Sequence, residues 1–169
     1  GGYQMMGRTV SDPDNTEGGG SLRGMKLLPI DTVFRPSKTT TQTRGTLLEI
    51  DGVLSDLSGL AVEGYEIHMG ETVRDASAKP LVRLLRREGE IEDGCQTENA
   101  FGTYLHGAFD APEAALRTAQ ALAQKKGVTL TGEALDTHAY KEQQYDKLAD
   151  SVRKSLDMEW IYRIMEGKA

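Results

Sequence analysis

Between Lys26 and Asp110 the chain is written in strand-length apolar runs broken by glycine, and every long helical period lies after them. KLLPIDTVF at 26–34, RGTLLEID at 44–51, GLAVEGYEIHMGET at 59–72 and LVRLL at 81–85 carry the β-branched and aromatic residues that suit a pleated surface. The threonines of 39–43 are β-prone and polar, and read as the start of an edge strand. EGEIEDGCQTE at 88–98 reads as a turn-rich hairpin region, and NAFGTYLHGAFD at 99–110 as a short buried strand ending in a glycine turn. Residues 11–24, with Pro, Asp, Asn and a glycine triplet, read as a loop, as do residues 75–80.

Helices flank this region unequally. A short one starts at Gly2 and runs through Met5 and Met6. After the strands, Asp110 and Glu113 stand three apart, an aspartate form of the capping box, with Pro112 in the first turn. Leu116, Ala119, Leu122 and Ala123 share a face, and Gly127 ends that helix. Thr137 to about Glu166 is helical again, with Leu148, Val152, Leu156, Ile161 and Ile164 as its stripe and a break at Asp150 or Asp157. The order predicts an α/β protein with a mixed sheet, which needs helices on both faces. Only one short helix precedes the strands, so a piece of a larger domain is expected. No internal repeat and no second domain are legible.

Composition narrows the function classes. A chain of 169 residues fits one domain. The net charge of −6 argues against a nucleic-acid surface, and the one basic run, Arg83–Arg87, is interleaved with leucines and reads as a solvated edge. No apolar run reaches the roughly 18 residues of a membrane span. A single cysteine, Cys95, excludes an internal disulfide and points to the reducing cytoplasm. It follows Asp93–Gly94 in the hairpin region and precedes neither an elbow nor a helix, so it reads as a passive thiol.

Three stretches carry the chemistry: GGYQMMG at 1–7, GYEIHMGET at 64–72 and GTYLHGAFD at 102–110. His106 stands between an apolar strand and Gly107, where a fixed backbone can present an imidazole to a cleft as a general base. The alternative is a partly buried structural histidine. Glu66 and His68 alternate with Tyr65, Ile67 and Met69 and so share a strand face, either a pocket wall or a solvent face. His138 begins the tail helix without a partner and reads as a surface residue. Three histidines without ligand spacing predict no metal site.

In their order, GGYQMMG, Asp12–Pro13, GMKLLPIDT, the threonine run, GYEIHMGET, GTYLHGAFD and YDKLADSVRKSLD resemble the C-terminal part of the glutaminase domain of cobyric acid synthases, over nearly all 169 residues. These are glutamine-dependent amidotransferases of cobalamin biosynthesis. The resemblance implies an α/β domain with a mixed central sheet flanked by helices, of the class I glutamine amidotransferase (flavodoxin-like) kind. It also implies that the chain starts just after the nucleophile elbow. There a cysteine attacks the glutamine amide, and ammonia passes to a separate ATP-dependent ligase domain that amidates carboxylates of adenosylcobyrinic acid a,c-diamide.

The family's elbow reads Cys-Gly-Gly-Tyr-Gln, so the resemblance puts the nucleophile immediately before Gly1. A thiolate at a helix N-terminus is stabilised by the dipole, and small residues suit a strained turn. By the same resemblance the N–H of Gly1 serves the oxyanion, Gly2 is the elbow's second small residue, Gln4 contacts bound glutamine and His106 is the base of a Cys–His dyad. Gly107 and Ala108 stand where many class I relatives carry proline and an orienting glutamate, and Asp110, needed as a helix cap, is not expected to take that role. No cofactor is expected in this chain, with ATP and Mg²⁺ belonging to the ligase domain. Without the cysteine the chain alone should be inactive, and an open sheet edge should make it self-associate or bind the missing half. Two other readings stay open. One is a non-catalytic glutamine-binding or domain-interaction module. The other is the related cobyrinic acid a,c-diamide synthase, which GYEIHMGET resembles less.

Overall fold

The computed structural model describes residues 1–87, 89–130 and 136–168. They divide into two compact units, Gly1–Ala134 and Leu135–Ala169. The first is built on a six-stranded mixed sheet. Helix α1 (Gly2–Met5) leads into strands β1 (Thr9–Asp12), β2 (Gly20–Arg23) and β3 (Ile30–Leu47). A 3-10 helix at Gly52–Leu57 then precedes β4 (Ala61–Arg74), β5 (Val82–Arg86) and β6 (Gly89–Asp93). A separate ribbon of β7 (Cys95–Gln96) and β8 (Phe101–Gly102) and helix α2 (Pro112–Lys125) complete the unit.

Strand β3 organises the sheet. At 18 residues it joins both predicted strands and the threonines between them. The order is β2-β1-β3-β5-β6, with β4 paired to β3 outside that path. The β1–β3 pair is parallel and every other pair in this sheet is antiparallel. The threonine run is therefore the middle of a strand rather than its start, and it is paired only with β4. Polar side chains suit that position because one side of the ladder faces no neighbour there.

Residues 11–24 are not all loop: they hold the end of β1, a hairpin tip and β2. Four-residue strands are too short to show a period, and the glycines and Pro13 mask them. The tip is organised by the buried Asp12 carboxylate, which accepts from the backbone N–H of Thr16 (2.8 Å), Glu17 (2.7 Å) and Gly19 (2.9 Å). Burial pushes this carboxyl up, but those three donors outweigh it and hold the group below its ordinary range.

The main core lies between β3, β4, β5, the 3-10 helix and α2, with Leu47, Leu57, Val62, Val82, Leu84 and Leu105 at its centre. Helix α2 buries Ala114 and Ala121 rather than the predicted face, leaving Ala119 and Leu122 exposed. Small side chains let the helix sit close on the 3-10 segment. Its N-cap is Ala111, without a side-chain cap, so Asp110 is not the cap that the sequence suggested; its N–H instead closes a turn onto Gly107 O at 2.8 Å. Gly127, with φ +70°, ends the helix as expected, and Val128 N donates to Ala123 O at 2.9 Å.

The second unit is a pair of helices, α3 (Thr137–Ser155) and α4 (Met158–Met165). The break falls at Asp157, one of the two expected places, and its carboxylate caps α4 by accepting from Trp160 N at 2.9 Å. Leu148, Val152, Leu156 and Ile164 stay exposed, as does His138. Among the described residues no helix is long and apolar enough to cross a membrane.

Candidate active site

Helix α1 is one turn long, closed by Met5 N donating to Gly1 O at 3.0 Å. It is held from the side by Tyr3, whose ring meets Tyr104 edge-on with centroids 5.0 Å apart. Gly102 makes room for that ring, since a Cβ there would stand 2.6 Å from Tyr3 Cδ2. Burial pushes the Tyr3 phenol far above its ordinary range. Buried Gln4 donates from Nε2 to Met69 O (3.2 Å) and to Tyr104 Oη (3.1 Å). Tyr104 Oη also bonds Thr72 Oγ1 at 2.6 Å, which bonds Thr32 Oγ1 at 2.7 Å. This chain of hydroxyls ties α1 to β3, β4 and the segment after β8.

His106 is fixed by its backbone. His106 N donates to Tyr65 O at 2.8 Å and Tyr65 N donates to His106 O at 3.1 Å, a single antiparallel bridge onto β4. The approach is possible only because residue 64 is glycine: a Cβ there would stand 1.9 Å from His106 O. The next residue, Gly107, has φ +88°, a conformation that glycine adopts freely. The histidine therefore ends a bridged segment and begins a tight turn.

Behind it, Glu66 and His68 share one face of β4, as the alternation predicted, but this face is buried while Tyr65 and Ile67 are exposed. The solvent-face reading is thereby set aside. The Glu66 carboxylate accepts from Arg86 Nη2 at 2.8 and 2.9 Å, so Arg86, exposed like Arg83 and Arg87 of the basic run, also holds a buried partner. The His68 ring stacks on Tyr104 with centroids 3.7 Å apart. Its Nδ1 lies 3.3 Å from Gly70 O, and its buried Nε2 lies 3.6 Å from Glu66 Oε1. Burial raises the Glu66 carboxyl, but the His68 ring and the Arg86 guanidinium prevail and hold it below its ordinary range.

These pieces surround a cavity of about 440 Å³, which falls within the range of small-molecule pockets. Gly1, Gly2, Gln4, His68 and His106 all line it. Glu66 does not; it lies behind His68. A Cβ at Gly1 or Gly2 would meet nothing within 4 Å, so no close approach among the described residues demands those glycines. The sequence reading missed the wall supplied by Tyr104 and Thr103, although both lie in the GTYLHGAFD stretch. It also missed Phe34 and Lys38 on β3 and Glu17 on the hairpin tip, which reach the cavity only through tertiary pairing. Cys95 is elsewhere, buried against Leu28 and Ile30, with its thiol pushed up by that burial. Among the described residues no cluster of three metal-ligating side chains forms.

A mixed sheet flanked by helices, with a histidine turn and the first residues of a helix lining one small cavity, defines a protein of the class I glutamine amidotransferase kind. The family of CobB/CobQ-like glutamine amidotransferase domains matches residues 1–114, and the chain belongs to it. It is 42% identical to the cobyric acid synthase of Lachnoclostridium phytofermentans over 98% of this chain and 34% of that protein. It is 42% identical to that of Ruminiclostridium cellulolyticum and 44% identical to that of Citrobacter koseri, over 98% of this chain and 33% of either protein. The chain thus spans about one third of the length of the curated relatives it matches.

Proposed function

We propose that the chain belongs to the glutaminase of a cobyric acid synthase, which releases ammonia from glutamine for an ATP-dependent amidation in cobalamin biosynthesis. The observation that carries the reading is one cavity shared by His106 and the start of α1. The family elbow puts a cysteine directly ahead of Gly1. Its thiol gives a proton to His106 and its sulfur attacks the glutamine side-chain carbonyl. Backbone N–H groups at the start of α1, Gly1 first, hold the oxyanion, and His106 returns the proton to the leaving ammonia. Water, deprotonated by His106, then cleaves the thioester to glutamate and restores the thiol.

The remaining residues support these steps. Gln4 Nε2 is engaged by Met69 and Tyr104, so its side-chain oxygen is what it offers a ligand. His68, stacked on Tyr104, walls the cavity beside it. The ammonia acceptor, ATP and Mg²⁺ belong to a ligase domain, which also takes the corrinoid; the share of the relatives' length beyond this chain leaves room for one. Because Cys95, the one cysteine of these residues, is buried outside the cavity, residues 1–169 by themselves should release no ammonia from glutamine.

The test is His106→Ala in the full-length protein that carries this chain. Glutamine-dependent synthesis should be lost while synthesis from added ammonia persists. Equal loss with both nitrogen sources would make His106 structural and reject the reading.

A further inference from the structure

The cavity holds two charged side chains that the proposed chemistry does not use. Glu17 and Lys38 both line it, and neither makes an ion pair or side-chain hydrogen bond among the described residues. Their charged neighbours are occupied: Arg35 pairs with Glu71 at 3.2 Å and with Asp14 at 3.8 Å.

Both residues are delivered by specific devices of the fold. Lys38 ends an irregularity in β3. Val33 pairs with Glu71 and Lys38 with Met69, so residues 34–37 stand opposite Gly70 alone. Such bulges re-aim side chains, and here Phe34 and Lys38 line the cavity on either side of it. Glu17 sits on the β1–β2 tip, where its N–H is held by Asp12.

The register sets the distance of Lys38 from the catalytic end. His106 is bridged to Tyr65 and Lys38 is paired with Met69, four residues along β4, which is about 13 Å. A lysine side chain and the carbon skeleton of glutamine fill such a span. The cavity between offers apolar Phe34, Ile67 and Met69 to two methylenes.

The geometry points to Lys38 and Glu17 as the pair that recognises the amino-acid head of glutamine, Lys38 taking the α-carboxylate and Glu17 the α-ammonium. This rests on the reading of the cavity as the glutamine site. The pair makes the site selective for a free amino acid. Primary amides without that head, including those the ligase makes, are refused, which keeps the glutaminase from hydrolysing the ligase's product.

The test uses the full-length protein and three primary amides: glutamine, 4-aminobutanamide, which lacks the α-carboxylate, and glutaramic acid, which lacks the α-ammonium. Each is followed by ammonia release, or as a competitive inhibitor of glutamine hydrolysis where turnover is slow. Lys38→Met should raise KM for glutamine and glutaramic acid about tenfold to a hundredfold, the effect of one charged hydrogen bond, and leave 4-aminobutanamide unchanged. Lys38→Arg should restore most of the loss. Glu17→Gln should weaken glutamine and 4-aminobutanamide and leave glutaramic acid unchanged. If either variant changes all three ligands by the same factor, or changes none, the assignment is overturned while glutamine hydrolysis itself stands. If the unaltered protein releases no ammonia from glutamine, the function reading falls first and this inference with it.

Discussion

Tyr65 and His106 hold each other twice, by a pair of backbone hydrogen bonds of 2.8 and 3.1 Å and by ring stacking with centroids 5.1 Å apart and planes 13° from parallel. The pairing depends on Gly64, whose missing side chain leaves room for His106 O. Gly64→Ala should therefore push the histidine out of place. A shift near 1 Å costs an active site about a hundredfold, so ammonia release from glutamine should fall by about that factor in the full-length protein. Unchanged kcat would mean that β4 absorbs the methyl without moving His106.

Glu66 makes a different demand. A carboxylate with no exposed surface stays ionised here only through Arg86 and His68. Arg86→Ala removes the charged partner and should lower stability by about 1.5–3 kcal/mol, measured as a shift in the urea midpoint. A change below about 0.5 kcal/mol would mean that water replaces the guanidinium.

The same carboxylate predicts a pH dependence. Its folded pKa is depressed below the ordinary 4.5, so the stability it contributes is present above 4.5 and is lost as pH falls through that value towards the folded pKa. The urea midpoint should drop across that window, and Glu66→Gln should flatten the drop. An identical acid profile for both proteins would assign it to other carboxylates.

Asp12 holds the hairpin tip that carries Glu17, through three backbone N–H groups. Asp12→Ala should leave those groups unpaired and speed amide exchange at Thr16, Glu17 and Gly19, while β5 and β6 keep their protection. Unchanged exchange at the three amides would show that the tip is held by other contacts.

Cys95 provides a check on the nucleophile. Buried and with its thiol pKa raised, it should react with a thiol reagent at least about a hundredfold more slowly in the native protein than in denaturant. Cys95→Ser should leave ammonia release per folded molecule unchanged. Loss of glutaminase activity at full stability would contradict its place outside the cavity.

Much of this protein follows from local chemistry, because short-range patterns report the forces that act over a few residues. Strand-forming runs around glycine turns, the Gly127 helix stop and the shared face of Glu66 and His68 depend only on backbone geometry and periodicity and were legible, while the break in the tail helix was narrowed only to Asp150 or Asp157. The motif stretches around Gly1, Gln4, His68 and His106 also marked residues that line one cavity. What the sequence could not express is which neighbour each strand meets. Only the folded sheet made one strand of Ile30–Leu47, because continuity came from pairing with β4 through a region whose own residues are polar and ambiguous. Only it buried Glu66, since Arg86 comes from another strand and its charge makes that burial tolerable. Only it put the α2 N-cap at Ala111 rather than Asp110, placed Tyr104 between His68 and Tyr3, and brought Lys38 and Glu17 to the cavity. Those outcomes depend on strand register and on close approaches such as that of Gly64 to His106, which are decided between segments far apart in the chain.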